Sequence, residues 1–571
     1  MNVDTLRGPT RPLSSPEGVA HPSRVRALLD EGHPWLSRWG PLGLMLVLTL
    51  VSLLLRSGHL RLHYWVDEGL SVGIASHHLG QIPGVLRQDG SPPLYYVLLH
   101  FWMGLRGRGE VATHELSLIF AVASVPAAYW AGRSLFDRRT GVVCSLMVAA
   151  LPYLSVYAQE TRMYSLVVLL TLVACASFVH AFVFARRRYL PAFIVSLTAA
   201  LYTHNWALFL ALMAAVAFLF CVYATPAERR RALWRDGVIA FCAIAVLYAP
   251  WIPTVLYQAA HTGAPWAAAP VLWSFTQGAY FLVGGRGAAV ALLFGAGAGL
   301  LALFGAQMGL LATSGGGAQD SADVGSDGGG ARGGDDGGSD RGEDRDRNRL
   351  AAQSLLVLGL GTLIVAWLYA KSTSTWALRY LAVIVGPLTL VVGLGLTRAR
   401  RLGLVALVLV ACFWVLDPTP GALDAKSNVA SAAAKVRREV GSDALVLSTQ
   451  PEQVATLAYY LPRVSHFGTP LGPVPDPRVF DWRGALPRLR RSSVRSVLEP
   501  MLRSLTTGER VVLAVPTRLP QHPLWLKLID RYSMSWTRYL SHDHALEQVA
   551  SVSPHAGSSG LPVRVTVFVR R

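Results

Sequence analysis

Two adjacent acids, Asp67 and Glu68, stand directly after an aromatic pair in the segment HYWVDEG. Aromatic neighbours can remove water from a carboxylate, and this desolvation raises its pKa toward the range that suits a general base. Adjacent acids are also common on solvated loops, where they do no chemistry. The pattern makes Asp67 and Glu68 candidate catalytic residues, with a surface loop as the plain alternative.

Three basic residues could neutralise an anionic group near a membrane surface. Arg162 lies in YAQETRMY, Arg379 lies in WALRY, and Lys371 precedes Arg379 by a few residues. A phosphate in a low-dielectric site needs charge-assisted hydrogen bonds, which these side chains supply. Basic residues beside apolar runs are also ordinary topology anchors. All three are candidate phosphate-binding residues, and Arg162 is the best placed.

Other polar and aromatic residues could complete a binding pocket. Tyr164, Tyr380 and His204 could contact a ligand, although buried tyrosine and histidine are more often structural. Asp89 stands shortly before two prolines, where its plain role is to cap the following helix. These four residues are candidate donor-binding groups.

Signals for metals and cofactors are weak. His77 with His78, and His542 with His544, lack a third ligand at a suitable spacing. No phosphate-binding loop, dinucleotide fingerprint or nucleophile elbow is present. The sequence therefore indicates no metal site, identifies no cofactor and leaves a divalent metal open.

The composition requires a membrane. The chain has 571 residues, of which 52% are hydrophobic and only 15% are charged, more apolar than a soluble core of this size needs. The net charge of +18 comes mostly from arginines in short loops between apolar runs, as the positive-inside rule expects. That distribution argues against nucleic-acid binding and predicts a polytopic α-helical membrane protein.

Apolar runs predict about a dozen spans of the bilayer core. They lie near residues 41–55, 92–105, 116–132, 141–153, 163–185, 189–203, 206–224, 237–250, 287–312, 350–370, 380–396 and 402–416. Three of them separate Asp67 from YAQETRMY, whereas an even number is needed if both segments lie outside. One of the three is therefore a half-span, or a further span is missing.

The predicted spans define the domain organisation. Residues 1–40 form a cytoplasmic tail, 41–416 the membrane domain, and 417–571 a small extracytoplasmic α/β domain with β-rich runs at 444–449, 511–517 and 563–569. Within the membrane domain, 56–91 form the first outer loop. The Gly- and Asp-rich segment 315–349 is predicted to be a disordered cytoplasmic linker.

Four motifs in order carry a family resemblance. WVDEG, DGSPPLYYVLLHFW, SLIFAVASVPAAYWAGRSLF and YAQETRMYSLVVLL together resemble the bacterial branch of the GT-C glycosyltransferases, which is similar to the protein O-mannosyltransferases and the lipid A aminoarabinose transferases. The match extends from about Tyr64 to Leu170 and continues weakly to WALRY. It implies about 11–13 transmembrane helices and transfer of a sugar from a polyprenyl phosphate to a hydroxyl on the outer face.

The resemblance also implies residue roles. It makes Asp67 the general base with Glu68 beside it, and it places Asp89 in a D-x-H-P-P pattern. Ser91 stands where that pattern has histidine, and His114 stands where relatives usually have arginine. A carboxylate that activates the acceptor directly would give inversion in a single displacement.

Several features stay open at this stage. The donor sugar is mannose-like or arabinose-like, and the acceptor is a glycan, a glycolipid or a protein. The expected location is the bacterial plasma membrane with a cytoplasmic N-terminus. A transporter or a flippase for lipid-linked sugars is the alternative, although its internal repeats or matching broken helices are not visible in the sequence.

Overall fold

The computed structural model describes residues 34–314, 336–416, 426–517, 519, 523–554 and 561–571. Most of the predicted N-terminal tail and residues 315–335 of the predicted linker lie outside the described residues. The remainder of that linker falls in a helix that begins at Asp336.

Helices dominate the chain up to residue 416. Seven of those in the described part are long and apolar enough to cross a membrane: Glu110–Leu135, Tyr164–Val183, Ala207–Ala224, Ala227–His261, Arg286–Gly305, Asp346–Thr373 and Leu378–Arg398. Two shorter apolar helices are Leu42–Ser57 and Arg401–Leu416. The three remaining predicted spans match the helices Leu94–Arg106, Arg138–Ala150 and Leu190–Leu201. Each predicted span therefore coincides with a helix. The polytopic helical fold is confirmed.

The helix Leu94–Arg106 does not cross the membrane. The backbone carbonyl of Gln88, just before it, accepts a hydrogen bond from Trp482 N at 3.0 Å, and that of Arg108, just after it, accepts one from the Tyr459 hydroxyl at 3.0 Å. Both donors belong to the C-terminal domain, so both ends of this 13-residue helix lie on the same side. The predicted span near 92–105 is therefore wrong, and its removal leaves the required even number of spans.

The C-terminal domain contains a six-stranded mixed sheet in the order β3-β2-β1-β4-β6-β5. The strands are β1 Leu445–Ser448, β2 His466–Thr469, β3 Gly472–Val474, β4 Arg510–Pro516, β5 Leu546–Val552 and β6 Val563–Arg570. Its longer helices are Val429–Val436, Val454–Tyr460, Ala485–Arg491 and Leu524–His542. Successive apolar side chains of β1 point to opposite faces of the sheet, and both faces are covered by helices. The predicted α/β domain is confirmed.

A short helix of the predicted first outer loop, Val66–Ala75, packs against the C-terminal domain. Two glycines allow this close approach: a Cβ atom on Gly69 would overlap Thr456, and one on Gly73 would overlap the carbonyl of Arg478. The His77 ring, just after this helix, is 2.7 Å from the carboxylate of Asp476. The loop that carries Asp67 is thus held between the membrane helices and the sheet domain.

Candidate functional site

Asp67 lies in the first turn of the helix Val66–Ala75 and is 16% exposed. Its Oδ2 atom is 3.5 Å from Arg379 Nη2 and 3.9 Å from Arg162 Nη2. Among the described residues this oxygen has no hydrogen-bond partner. Two guanidinium groups therefore lie against the carboxyl group of Asp67, and its buried Oδ2 atom is left without a hydrogen bond that a ligand could supply.

The Arg162 side chain is fixed by neutral groups. Its Nη1 atom lies 3.1 Å from Ser71 Oγ, 3.4 Å from the Asp67 carbonyl and 3.5 Å from the Tyr96 hydroxyl. Its Nε atom is buried, and the described residues offer it no partner. The guanidinium is thus held in place with a donor to spare.

Arg379 is held by aromatic rings. Its guanidinium carbon lies 4.3 Å from the centre of the Trp266 ring and 5.8 Å from that of Trp65, within the range of cation–π attraction. The Tyr153 hydroxyl donates to its carbonyl at 2.5 Å, and its Nε atom is also without a partner in the described part. Arg379 and Arg162 therefore flank Asp67 with free donors.

Three predicted pocket residues form an aromatic wall beside the arginines. The His204 ring is 4.9 Å from that of Tyr380 and 6.0 Å from that of Tyr164, centre to centre. Burial, with Arg162 and Arg379 nearby, lowers the pKa of His204 to about 3, so this ring is neutral. The Tyr164 hydroxyl is buried and finds no partner among the described residues.

Asp89 lies close to the same charges. The Asn205 side chain donates to the carbonyl of Gly90 at 2.9 Å, which joins the Asp89 loop to the His204 loop. Burial and the charge of Asp67 raise the pKa of Asp89, against a hydrogen bond with Ser91 and the charge of Arg162. Asp89 is thus protonated more readily than an ordinary aspartate.

Lys371 stands apart from this group. Its ammonium donates to the carbonyl of Pro270 at 3.2 Å and lies 6.0 Å from the centre of the Trp367 ring. The residue is exposed, and no contact links it with Asp67 in the described structure. The geometry unites the other predicted site residues around Asp67 but leaves Lys371 outside.

Glu68 points away from this opening and is fully buried. Its Oε1 atom is 2.6 Å from His114 Nε2, 3.2 Å from Lys426 Nζ, and accepts from the Thr161 amide at 2.8 Å. Burial alone would raise the pKa of Glu68, but Lys426 and His114 outweigh it and hold the pKa well below its usual range. Glu68 is an ionised anchor for the surrounding loops.

Sequence reasoning missed two charged residues at the site. Lys426 is buried and also donates to the carbonyl of Gln159. Glu160 is buried, and burial, with Glu68 and Asp67 nearby, raises its pKa despite the charge of Lys426. Glu160 lies inside the quoted motif YAQETRMY, which was a usable signal, whereas nothing in the sequence around Lys426 marks it.

The charges give the site a net attraction for anions. With the pKa of Glu160 raised, the guanidinium groups of Arg162 and Arg379 face a single acidic partner, Asp67. An anion such as a phosphate would find two spare arginine donors close to a carboxylate that can accept a proton. Within the described residues, no cluster of three or more metal-ligating side chains is present.

Comparisons with solved structures identify the fold. The chain is similar to ArnT from Cupriavidus metallidurans in the apo state, with a TM-score of 0.56 and 13% identity over 93% of this chain and 98% of that one. ArnT bound to undecaprenyl phosphate gives a TM-score of 0.54 with the same identity and coverage. The arabinofuranosyltransferase AftD from Mycobacteria gives 0.50 and 15% identity over 92% of this chain and 40% of that one.

No protein-family model matches the chain, and no curated protein matches it in sequence. The structural likeness is therefore the evidence for the fold. The chain has the fold of the GT-C glycosyltransferases, as the four ordered motifs implied.

Proposed function

We propose that this protein is an integral membrane glycosyltransferase that moves a sugar from a polyprenyl-phosphate donor to a hydroxyl acceptor on the outer face of the membrane. The observation that carries the proposal is the buried Oδ2 atom of Asp67, which lies between Arg162 and Arg379 and has no hydrogen-bond partner among the described residues. This arrangement places a proton acceptor beside two cations that could bind a phosphate. The likeness to a structure with bound undecaprenyl phosphate supports this class of donor.

The proposed reaction gives each of these groups a role. Asp67 takes the proton of the acceptor hydroxyl as its oxygen attacks the anomeric carbon. The bond from that carbon to the phosphate oxygen breaks, and polyprenyl phosphate leaves with its charge stabilised by Arg162 and Arg379. A single displacement of this kind inverts the anomeric centre. Glu68, which is fully bonded, positions the Asp67 loop.

An apolar cavity of about 340 Å³ lies beside the site and suits an isoprenoid chain. Its lining includes Pro93, Leu94, Val97, Val195 and Tyr202. The Leu94 amide donates to the Tyr202 carbonyl at 2.8 Å, so the cavity adjoins the loops that carry Asp89 and His204. The donor phosphate would then lie at the arginines with its tail among the helices.

The finer assignments extend this proposal. The transferred sugar is mannose-like or arabinose-like, and the acceptor is a glycan, a glycolipid or a protein. The protein resides in a bacterial plasma membrane, with residues 1–40 in the cytoplasm and residues 417–571 outside. The positive charge of the short loops on the opposite side from Asp67 supports this orientation.

Reconstitution tests the proposal. The full chain in proteoliposomes is given labelled polyprenyl-phosphate mannose or arabinose, with a cell-envelope fraction as acceptor. We expect label to enter the envelope fraction with the wild type and with the control Asp443→Asn, an exposed aspartate of the sheet domain. Asp67→Asn should abolish transfer while the protein stays folded. Equal transfer by Asp67→Asn would refute the assignment of the base, and movement of the intact donor across the bilayer without transfer would identify a flippase.

A further inference from the structure

The sheet of the C-terminal domain has a topological switch point between β1 and β4. These strands are parallel neighbours, but the helix after β1, Val454–Tyr460, packs on one face of the sheet and the helix after β4, Leu524–His542, packs on the other. In open α/β sheets, ligands bind in the crevice outside the carboxyl ends of the strands at such a point. Residues 449–453 follow the carboxyl end of β1 and would border such a crevice.

Three side chains in that border have polar atoms without a partner. Gln450, Glu452 and Gln453 are 1%, 5% and 1% exposed, yet Gln450 Oε1, Glu452 Oε2 and Gln453 Nε2 make no hydrogen bond within the described structure. A buried polar group without a partner is costly. Three in one five-residue segment therefore point to a ligand that completes them.

The other atoms of two of these side chains are fixed. Glu452 Oε1 accepts from Trp525 Nε1 at 3.2 Å and from Gln450 Nε2 at 3.2 Å. The free carboxylate oxygen of Glu452 and the free amide oxygen of Gln450 are consequently held in position. Such fixed groups bind a ligand with little loss of side-chain entropy.

The crevice adjoins the proposed base. The helix that carries Asp67 packs on the helix that follows this segment, and Thr456 Oγ1 lies 3.4 Å from the Trp65 carbonyl. Burial raises the pKa of Glu452, and the charge of Asp67 adds to this effect. The indole nitrogen of Trp65 is also without a partner in the described part.

We propose that this crevice, formed by Gln450, Glu452, Gln453 and Trp65, is the acceptor site, and that the acceptor is a saccharide. This inference rests on the proposed function and names its acceptor class. Gln450, Glu452 and Gln453 present hydrogen-bond acceptors and donors, and within the described structure no cationic side chain bonds to them, although Arg379 contacts the ring of Trp65. That set matches sugar hydroxyls, which donate and accept, and does not suit a phosphate or a carboxylate. The arginines lie beside Asp67, where the donor phosphate leaves.

Two near-isosteric variants test the site. Gln453→Met removes the free N–H, and Glu452→Gln replaces the free oxygen with a donor while keeping an oxygen for Trp525. Each loses about one hydrogen bond to the acceptor, so we expect the acceptor KM to rise roughly tenfold. The donor KM, kcat at saturating acceptor and melting temperature should stay close to wild type. Gln548→Met and Glu547→Gln, on the exposed strand β5, are the matched controls.

The assay uses the full chain in proteoliposomes, labelled polyprenyl-phosphate mannose or arabinose, and separated saccharide and protein fractions of the cell envelope as acceptors. Label in the saccharide fraction, with the KM shift confined to the two crevice variants, supports the proposal. An unchanged acceptor KM in both variants, or label in the protein fraction alone, overturns the saccharide site but leaves the glycosyltransferase proposal standing. No consumption of either donor by the wild type would refute both.

Discussion

Lys426 Nζ lies 3.2 Å from Glu68 Oε1, and both side chains are buried. Lys426 begins the described part of the C-terminal domain, and Glu68 is the neighbour of Asp67 in the outer loop. The same ammonium donates to the carbonyl of Gln159, in the loop that carries Arg162. One lysine therefore joins the sheet domain to both loops of the proposed active site.

Removal of this lysine should destabilise the folded protein. Lys426→Met removes the ammonium group from the buried Glu68 carboxylate, and breaking a buried ion pair costs about 3–5 kcal/mol. We expect a lower melting temperature in detergent by thermal unfolding, whereas the exposed control Lys435→Met should match the wild type. The double variant Lys426→Met with Glu68→Gln should recover part of the loss. A melting temperature equal to the wild type in Lys426→Met would show that the pair is not structural.

The pH dependence of stability should follow the lowered pKa of Glu68. An ionised carboxylate with a depressed pKa stabilises the fold at pH values above its usual pKa of 4.5, and this contribution is lost as the pH falls below that value. In Lys426→Met the pKa of Glu68 should rise toward its usual value, so the stability lost on acidification should be smaller than in the wild type. The measurement is the melting temperature of both proteins from pH 7 downward. Identical profiles would show that Lys426 does not lower the pKa of Glu68.

Arg162 should control the use of the donor lipid. In Arg162→Ala a phosphate loses a charge-assisted hydrogen bond, which contributes about 1.5–3 kcal/mol, so the donor KM should rise about tenfold to a hundredfold. Arg162→Lys should restore only part of this, because lysine lacks the planar pair of donors. Arg106→Ala, which removes an exposed ion pair with Glu115, is the control. Donor saturation curves that overlay in all variants would leave Arg162 as a topology anchor.

Variants of Arg379 and Trp266 should show whether the aromatic ring holds the guanidinium in place. Its guanidinium lies against Trp266 and faces Asp67, and a lysine keeps the charge but loses the planar stacking. We expect Arg379→Lys to raise the donor KM and lower kcat, because the cation would no longer be held beside the leaving phosphate. Trp266→Leu should reproduce part of the donor effect. Normal kinetics in Trp266→Leu would contradict a supporting role for the ring.

The sequence predicted the parts of this site that stand in a local pattern. Asp67, Arg162 and Arg379 were each visible because an acid or a cation in an apolar chain is conspicuous, and motif order placed them in one site. Lys426 was not predicted because its partner is hundreds of residues away, and only the folded chain shows the contact. Similarly, Leu94–Arg106 is as apolar as a span, and only contacts at both of its ends show that they lie on the same side as the C-terminal domain.

Glu160 should produce a pH dependence in donor binding. Its pKa is raised by burial and by the nearby negative charges of Glu68 and Asp67, so at neutral pH it is mainly protonated. As the pH rises through that raised pKa, a new negative charge appears beside the arginines that hold the phosphate, and the donor KM should increase. Glu160→Gln keeps the group neutral and should flatten the rise. The control Glu115→Gln, at a half-buried acid paired with Arg106, should retain the wild-type profile. An unchanged alkaline rise in Glu160→Gln would assign the titration to another group.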